Sequence, residues 1–327
     1  MKVDSWQRAR RVLAEAGLPS GALAGVRPLT GGTYNTVEEL LLADGSRYVL
    51  KIPPAPTAPG LRYERNLLAA EAEFCAGAAE ARVPAPRAVF LGGDPRAPYL
   101  LLTASPGLPW PQAAPADGER AELREELGRQ VARLHRVTGP GFGYPSGALG
   151  PLASDWRTAF TAMTGAVLAD ARDYGARLPR PVEETAAVLH AAAGALDEVT
   201  VPVLVHFDLW PGNILVDRSA AGRARIGGLI DGERMFWGDP LADFVSLALL
   251  GDIRTDEAFL AGYAEAGGEA ALGGAARVRL ALYRAYLYLI MLTETVPRAA
   301  DAAHRRWVRD VVAPELEAAL DEVAGLC

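Results

Sequence analysis

Two linked segments decide how this chain is read: VLVHFDLWPGNILVD (Val203–Asp217) and, after eight intervening residues, IGGLIDGERMFWGDPLADF (Ile226–Phe244). The short apolar runs Val201 to Val205, Ile214 to Val216 and Arg225 to Ile230 read as strands. The loop between the first two carries His206, Asp208 and Asn213, and the third strand delivers Asp231 at its end. Oxygen-bearing side chains gathered at the mouth of a small hairpin suit a hard cation. Mg²⁺ is held in this way, by one or two side chains together with phosphates and water. Nothing in the stretch resembles a soft or imidazole-rich metal site.

Composition sets the frame. The 327 residues allow two domains or one large two-lobed unit, and with half of them apolar a sizeable core is available. A net charge of −7 argues against a nucleic-acid binder, which needs a basic surface, and is compatible with a cationic small substrate. Cys75 and Cys327 give neither a disulfide framework nor a zinc spacing, and Cys75 reads as a small buried hydrophobe. Met1 to Gly17 is charged and amphipathic, with no signal-peptide core. Leu280 to Leu292 is too short to span a bilayer, so a cytoplasmic protein without a membrane partner is expected.

Upstream, Trp6 to Ala16 has helical periodicity and ends at Gly17 and Pro19. The loop Gly31-Gly32-Thr33-Tyr34-Asn35 precedes a hairpin whose turn is Ala43 to Ser46 and whose second strand, Arg47 to Ile52, contains Lys51. Lysine is scarce, at Lys2 and Lys51 alone, and one flanked by apolar strand residues requires a partner. The next helix, expected over Leu61 to Ala81, places Glu71 on its apolar stripe as the natural counter-ion, with Glu64 as the runner-up. Strands follow at Val89 to Leu91 and Tyr99 to Thr103, and Ala104 to Gly107 breaks the pattern as a hinge. From Pro115 the chain is mainly helical. The P-loop, nucleophile-elbow and zinc-protease motifs are absent, and Gly139 to Gly143 reads as a plain loop because it follows a helix.

The ordered set of His206, Asp208, Asn213, Ile230, Asp231, Glu233, Gly238, Asp239, Pro240 and Asp243 resembles the aminoglycoside phosphotransferase and choline kinase-like family. That resemblance implies an α+β, two-lobed protein-kinase-like fold. Residues 1–104 would form a small antiparallel β lobe that binds nucleotide, and residues 105–327 a larger helical lobe. It also implies an enzyme, an ATP- and Mg²⁺-dependent small-molecule kinase. Asp208 would orient the acceptor hydroxyl and take its proton; Asn213 and Asp231 would hold Mg²⁺. Gly32, Thr33 and Asn35 would belong to the phosphate loop, Lys51 positioned by Glu71 would contact phosphates, and Thr103 and Ser105 would receive the adenine edge. His206, Asp239 and Asp243 are expected to be scaffold, the two aspartates at the start of a helix.

Phe207 and Gly232 depart from the family's pattern, Gly232 standing where a bulkier, often aromatic residue is usual. The resemblance leaves the acceptor open among aminoglycoside-like antibiotics, amino sugars and metabolites such as choline, fructosamines or homoserine. Asp155, Trp156, Glu233 and Trp237 are candidates to line its pocket. The alternative of another class is a nucleotide-binding regulatory module without transfer activity.

Overall fold

The structure, a computed structural model, describes residues 2–29, 34–94, 97–218 and 223–326, with side chains from residue 5 onward. Its first part is a five-stranded antiparallel sheet. Helix α1 (Lys2–Glu15) leads into β1 (Leu23–Pro28), β2 (Thr36–Leu42) and β3 (Arg47–Ile52). Helix α2 (Leu67–Glu80) then crosses to β4 (Ala88–Asp94) and β5 (Ala97–Thr103), giving the order β1-β2-β3-β5-β4.

Tyr99, Leu100, Leu101 and Leu102 are consecutive, apolar and all buried. A strand exposed on one face would alternate, and this one does not because helices cover both faces of the sheet. Tyr99 and Leu101 pack with Leu40, Leu42, Leu50 and the α1 residues Ala9, Val12 and Leu13. Leu100 and Leu102 join Leu67, Leu68, Phe74 and Cys75 of α2. The two-residue period of β3 therefore turns Leu50 towards α1 and its neighbour Lys51 towards α2. The helix expected from Leu61 begins six residues later: Arg62–Glu64 is a separate 3₁₀ turn, and Asn66 takes a left-handed backbone (φ +59°) before α2 can start.

After β5 the chain passes through residues 104–107 into β6 (Leu108–Pro109), the helical turn α3 (Trp110–Ala113) and the long α4 (Asp117–Leu134). Helices α5 (Trp156–Tyr174) and α6 (Val182–Ala191) follow, the latter ending before a 3₁₀ segment at Ala193–Glu198. Strands β7 (Val203–Val205), β8 (Ile214–Asp217), β9 (Arg225–Leu229) and β10 (Phe236–Gly238) make two small sheets, β10-β7 and β6-β8-β9. The remainder is helical: α7 (Leu241–Leu247), α8 (Glu257–Glu265), α9 (Ala275–Thr293), α10 (Ala302–Trp307) and α11 (Ala313–Leu326). Helix α9 is buried nearly all round, as its apolar sequence requires. Among the described residues no helix is long and apolar enough to cross a membrane.

The two lobes meet where the linker lies on the β8-β9 hairpin. Leu108 pairs with Val216, the linker backbone at Pro106 runs against Gly227, and the Ser105 side chain lies over Gly228. A Cβ on Gly227 would come within 2.2 Å of the Pro106 carbonyl oxygen, so only glycine lets the linker lie this close. Gly227→Ala is expected to cost about 1–3 kcal/mol through overpacking. Chemical denaturation should show a lowered midpoint at unchanged slope, and an unchanged midpoint would refute the contact's importance.

Candidate active site

The site is assembled around a buried ammonium. Lys51 is 6% exposed, and its Nζ lies 2.7 Å from Glu71 Oε1 on α2, is hydrogen-bonded to Asp231, and stands 3.7 Å from Glu233 Oε2. Glu71 is thus the partner. Glu64, the runner-up, faces elsewhere: its carboxylate accepts from the Leu61 N–H at 2.8 Å and pairs with Arg298. Burial alone would lower the lysine's pKa, but Asp231, Glu71 and Glu233 outweigh it and hold the group well above the ordinary range. The same ammonium brings Asp231 below the usual carboxylate range against its burial.

Glu233 was grouped with acceptor-side residues on sequence. It instead turns inward, accepting a hydrogen bond from Asn35 Nδ2 and standing next to Lys51. Glu71, Asp231 and Glu233 bring ligand oxygens within 4.8 Å of one another. One lysine cannot balance three carboxylates, and burial, with Asp231 beside it, pushes the Glu233 carboxyl up to about 8. Glu71 Oε2 and Asn35 Oδ1 are buried without a hydrogen-bond partner among the described residues. An all-oxygen donor set with surplus negative charge fits a hard divalent cation and not a soft one.

The catalytic-type loop is tied to this cluster through His206. Its Nδ1 accepts the Asp208 N–H at 3.2 Å and its Nε2 pairs with the Ile230 carbonyl at 3.0 Å, so one imidazole spans the loop and the residue before Asp231. Asn213 Nδ2 donates to the Asp208 backbone oxygen at 2.9 Å and to its carboxylate at 3.1 Å. That commits the amide nitrogen and leaves the amide oxygen as the donor atom for a cation. Burial raises the Asp208 pKa; Arg234 opposes the shift and Asp231 adds to it. Phe207 and Asp231 both take left-handed backbones, at φ +62° and +65°, a conformation non-glycine residues hold only when neighbours impose it.

Asp243 imposes it at Phe207. Its carboxylate accepts the backbone N–H groups of His206 at 3.1 Å and Phe207 at 2.6 Å, and also pairs with His135 Nε2 at 2.9 Å. Although it stands in the first turn of α7, it therefore anchors a different segment from its own helix end. Asp239 does cap α7, accepting the Leu241 N–H at 3.0 Å, and its second oxygen binds Arg279 and Tyr283 of α9.

Three sequence candidates for the acceptor pocket have their polar groups engaged within the fold. Asp155 is the N-cap of α5, accepting the Thr158 N–H at 2.8 Å. Trp156 is 0% exposed, stacks on Phe236 and gives its indole N–H to Tyr283. Trp237 is buried in β10 with its indole N–H on Glu73. At the linker, Thr103 gives its N–H to the Arg87 carbonyl at 3.0 Å and its hydroxyl accepts the Arg87 N–H at 2.9 Å. Gly31, Gly32 and Thr33 lie outside the described residues.

Sequence reading missed two participants. Phe74 of α2 fills the space that Gly232 vacates: a Cβ on Gly232 would meet its ring at 2.2 Å, and the same ring packs edge-on against His206 at 4.8 Å. The aromatic ring beside the Asp231 turn is thus supplied by α2. Arg234 is the second, a largely enclosed guanidinium whose Nε lies 4.0 Å from Asp208 Oδ2. Its signal was its position, three residues past Asp231.

Residues 25–283 match the model of the phosphotransferase enzyme family. Among solved structures, a candidate fructosamine-3-kinase from Thermobifida fusca is similar at 25% identity and a TM-score of 0.64, covering 94% of this chain and 99% of that one. A macrolide 2'-phosphotransferase from Brachybacterium faecium is similar at 22% and 0.59, covering 94% and 96%. An aminoglycoside phosphotransferase from Streptomyces rimosus, solved with ADP and streptomycin, is similar at 21% and 0.57, covering 89% and 98%. These last two likenesses show the fold. Among curated proteins, none matches the sequence.

Gly232→Ala is expected to destabilise the chain by about 1–3 kcal/mol, because the new methyl must displace a packed ring. Phe74→Leu in the same chain should recover part of that loss. Thermal melts of both single variants and the double variant test it, and strict additivity of the two effects would rule the contact out.

Proposed function

We infer that this chain, which belongs to the phosphotransferase enzyme family, transfers the γ-phosphoryl group of ATP to a hydroxyl of a small molecule in an Mg²⁺-dependent reaction. The observation that carries this reading is the convergence of β3, α2, the 206–213 loop and the end of β9 on one constellation: Lys51 on Glu71 and Asp231, and Asp208 on Asn213. Neither half would be useful alone. The lysine cluster can hold phosphates, and the aspartate beside it can address an incoming hydroxyl.

Asn213 and Asp231, with Glu233 adjacent, would hold the cation, which when bound neutralises charge on the transferred phosphate. Lys51, fixed by Glu71, would grip the nonreacting phosphates. Asn35, just before β2, is anchored on Glu233 and would stand beside them. The Thr103 carbonyl and Ser105 would meet the adenine edge. Residues 1–104 would then form the nucleotide lobe, and residues 105–327 would carry the catalytic loop and the acceptor pocket.

In the reaction the acceptor oxygen bonds to the γ-phosphorus as the bridge to the β-phosphate breaks. ADP departs with that bridging oxygen, and the hydroxyl proton passes to the Asp208 carboxylate. Asp208 is suited to this task because Asn213 fixes its orientation and Arg234 lies close enough to favour its ionised form. His206 and Asp243 would act through it by shaping the loop.

Acceptors of the aminoglycoside or amino-sugar kind, and metabolites of the fructosamine, choline or homoserine kind, all fit this chemistry; the overall charge of −7 does not choose among them. Asp208→Ala is expected to lower turnover about 10²- to 10⁴-fold while leaving ATP binding in place. Lys51→Ala should weaken nucleotide binding itself. Coupled ADP-release assays and nucleotide titrations of both variants test the assignment. Unchanged turnover in Asp208→Ala would overturn it. Nucleotide binding without transfer to any acceptor would favour a regulatory module.

A further inference from the structure

The turn that follows α9 presents one long side chain. Thr295 Oγ1 donates to the Leu292 carbonyl at 2.8 Å, and the N–H groups of Arg298, Ala299 and Ala300 return to the carbonyls of Glu294, Val296 and Thr295 at 3.1, 3.0 and 3.0 Å. Ala299 closes the turn with a left-handed backbone (φ +47°). Arg298 leaves this mount with its side chain 14% exposed. Its Nη2 pairs with Glu64 and lies 3.2 Å from Glu294 Oε2, while the guanidinium carbon stands 5.5 Å from the centre of the Tyr34 ring.

Glu64 and Tyr34 belong to the part of the chain proposed to bind nucleotide. The Glu64 side chain is 1% exposed, so its carboxylate needs a counter-ion, and the guanidinium is one. Tyr34 gives its hydroxyl to the Glu64 carbonyl at 2.8 Å. Burial, with Glu64 and Glu233 near, pushes the Tyr34 phenol up to about 12 and keeps it a neutral donor. Asn35, the next residue, is held on Glu233, and Val37 then pairs with Lys51 in the β2-β3 register. The entry to β2 is therefore held on two sides, by Glu233 and by the Arg298 mount, beside the strand that carries the buried lysine. Glu294 and Arg298 lie beyond residue 283, where the family match ends.

A second tie between the same regions does not involve Arg298. Arg62 pairs with Asp170 of α5 and donates its backbone N–H to Asp170 Oδ2 at 2.8 Å; Tyr174 donates to the Gly60 carbonyl at 2.8 Å. Residues 60–62 thus dock on α5 by their own contacts. What Arg298 adds is the hold on Tyr34.

We propose that Arg298 is a positioning residue that, through Tyr34 and Glu64, fixes the entry to β2 against the phosphates of the bound nucleotide. This rests on the kinase reading above and deepens it. The adenine end of the ligand is assigned to the linker after β5, away from Tyr34. The contribution of Arg298 should therefore grow with the number of phosphates and vanish for the nucleoside.

Calorimetric titration of the full chain with Mg-ATP, Mg-ADP and adenosine tests this. Arg298→Met is expected to weaken Mg-ATP about 5- to 30-fold, Mg-ADP less, and adenosine not at all. Tyr34→Leu should reproduce the loss, and the double variant should lose little more than either single one. Arg298→Lys, which keeps a cation near the ring, should recover part of it. Arg62→Met, at the neighbouring tie, should lower the melting temperature without changing the ratio of Mg-ATP to adenosine affinity. Where Arg298→Met does not fold, Arg298→Met with Glu64→Gln removes the unpaired buried charge and takes its place. Equal weakening across the three ligands, no weakening, or strict additivity with Tyr34→Leu would each overturn the proposal. An unaltered chain that binds none of the three would instead overturn the kinase reading, so the two failures are distinguishable.

Discussion

Everything in the site depends on how the chain satisfies one buried ammonium. Removing Lys51 from water without partners would be prohibitive, and its partners come from two separate parts of the fold, α2 and the turn after β9. Glu71 requires α2 to pack on the sheet face that Lys51 occupies. Asp231 requires the β8-β9 hairpin to end under that same face. The helix, the sheet and the helical lobe are therefore registered to one another by a single charge. A shift of β3 by one residue would turn the lysine into the α1 core instead.

That registration is reinforced by apolar contacts that the electrostatics alone would not secure. Phe74 lies one turn beyond Glu71 on α2, so the helix delivers a carboxylate to Lys51 and a ring to Gly232 together. The ring also meets His206, which in turn holds the Asp208 N–H and the Ile230 carbonyl. A movement of α2 would therefore be felt at both proposed metal-side and acceptor-side loops. Gly227 and Gly228 do the equivalent at the linker, where the absence of side chains sets the approach of the two lobes.

The parts legible in the sequence were those in which residue type and local period are enough. A lone lysine in an apolar strand announces a partner, and the helical stripe pointed to Glu71; both follow from the periods of 2 and 3.6 residues. The antiparallel sheet, the hairpin strands and the buried Cys75 were readable on the same grounds. Less legible was which way a polar or aromatic residue faces at an element's end. Trp156 opens α5 and could have faced either side; its burial depends on Phe236 and Tyr283, far away in the chain. Asp155 was consumed by capping, a local demand that competes with any role in binding. The start of α2 was misplaced because the left-handed turn at Asn66 breaks an apolar pattern that continues unbroken in sequence.

The turn after Asp231 shows why such facing cannot be read locally. Glu233 and Arg234 are adjacent and oppositely charged, and a sequence reading has no ground for separating them. The left-handed backbone at Asp231 and the 3₁₀ turn that follows rotate successive side chains by about a third of a circle. The acid then lands with the lysine and the base lands with Asp208. Reversing the two would place a cation in a site already holding Lys51 and an anion against the proposed catalytic aspartate, where each would face like charge. The order Glu-Arg is thus fixed by the two poles, Lys51 and Asp208, between which the turn is suspended.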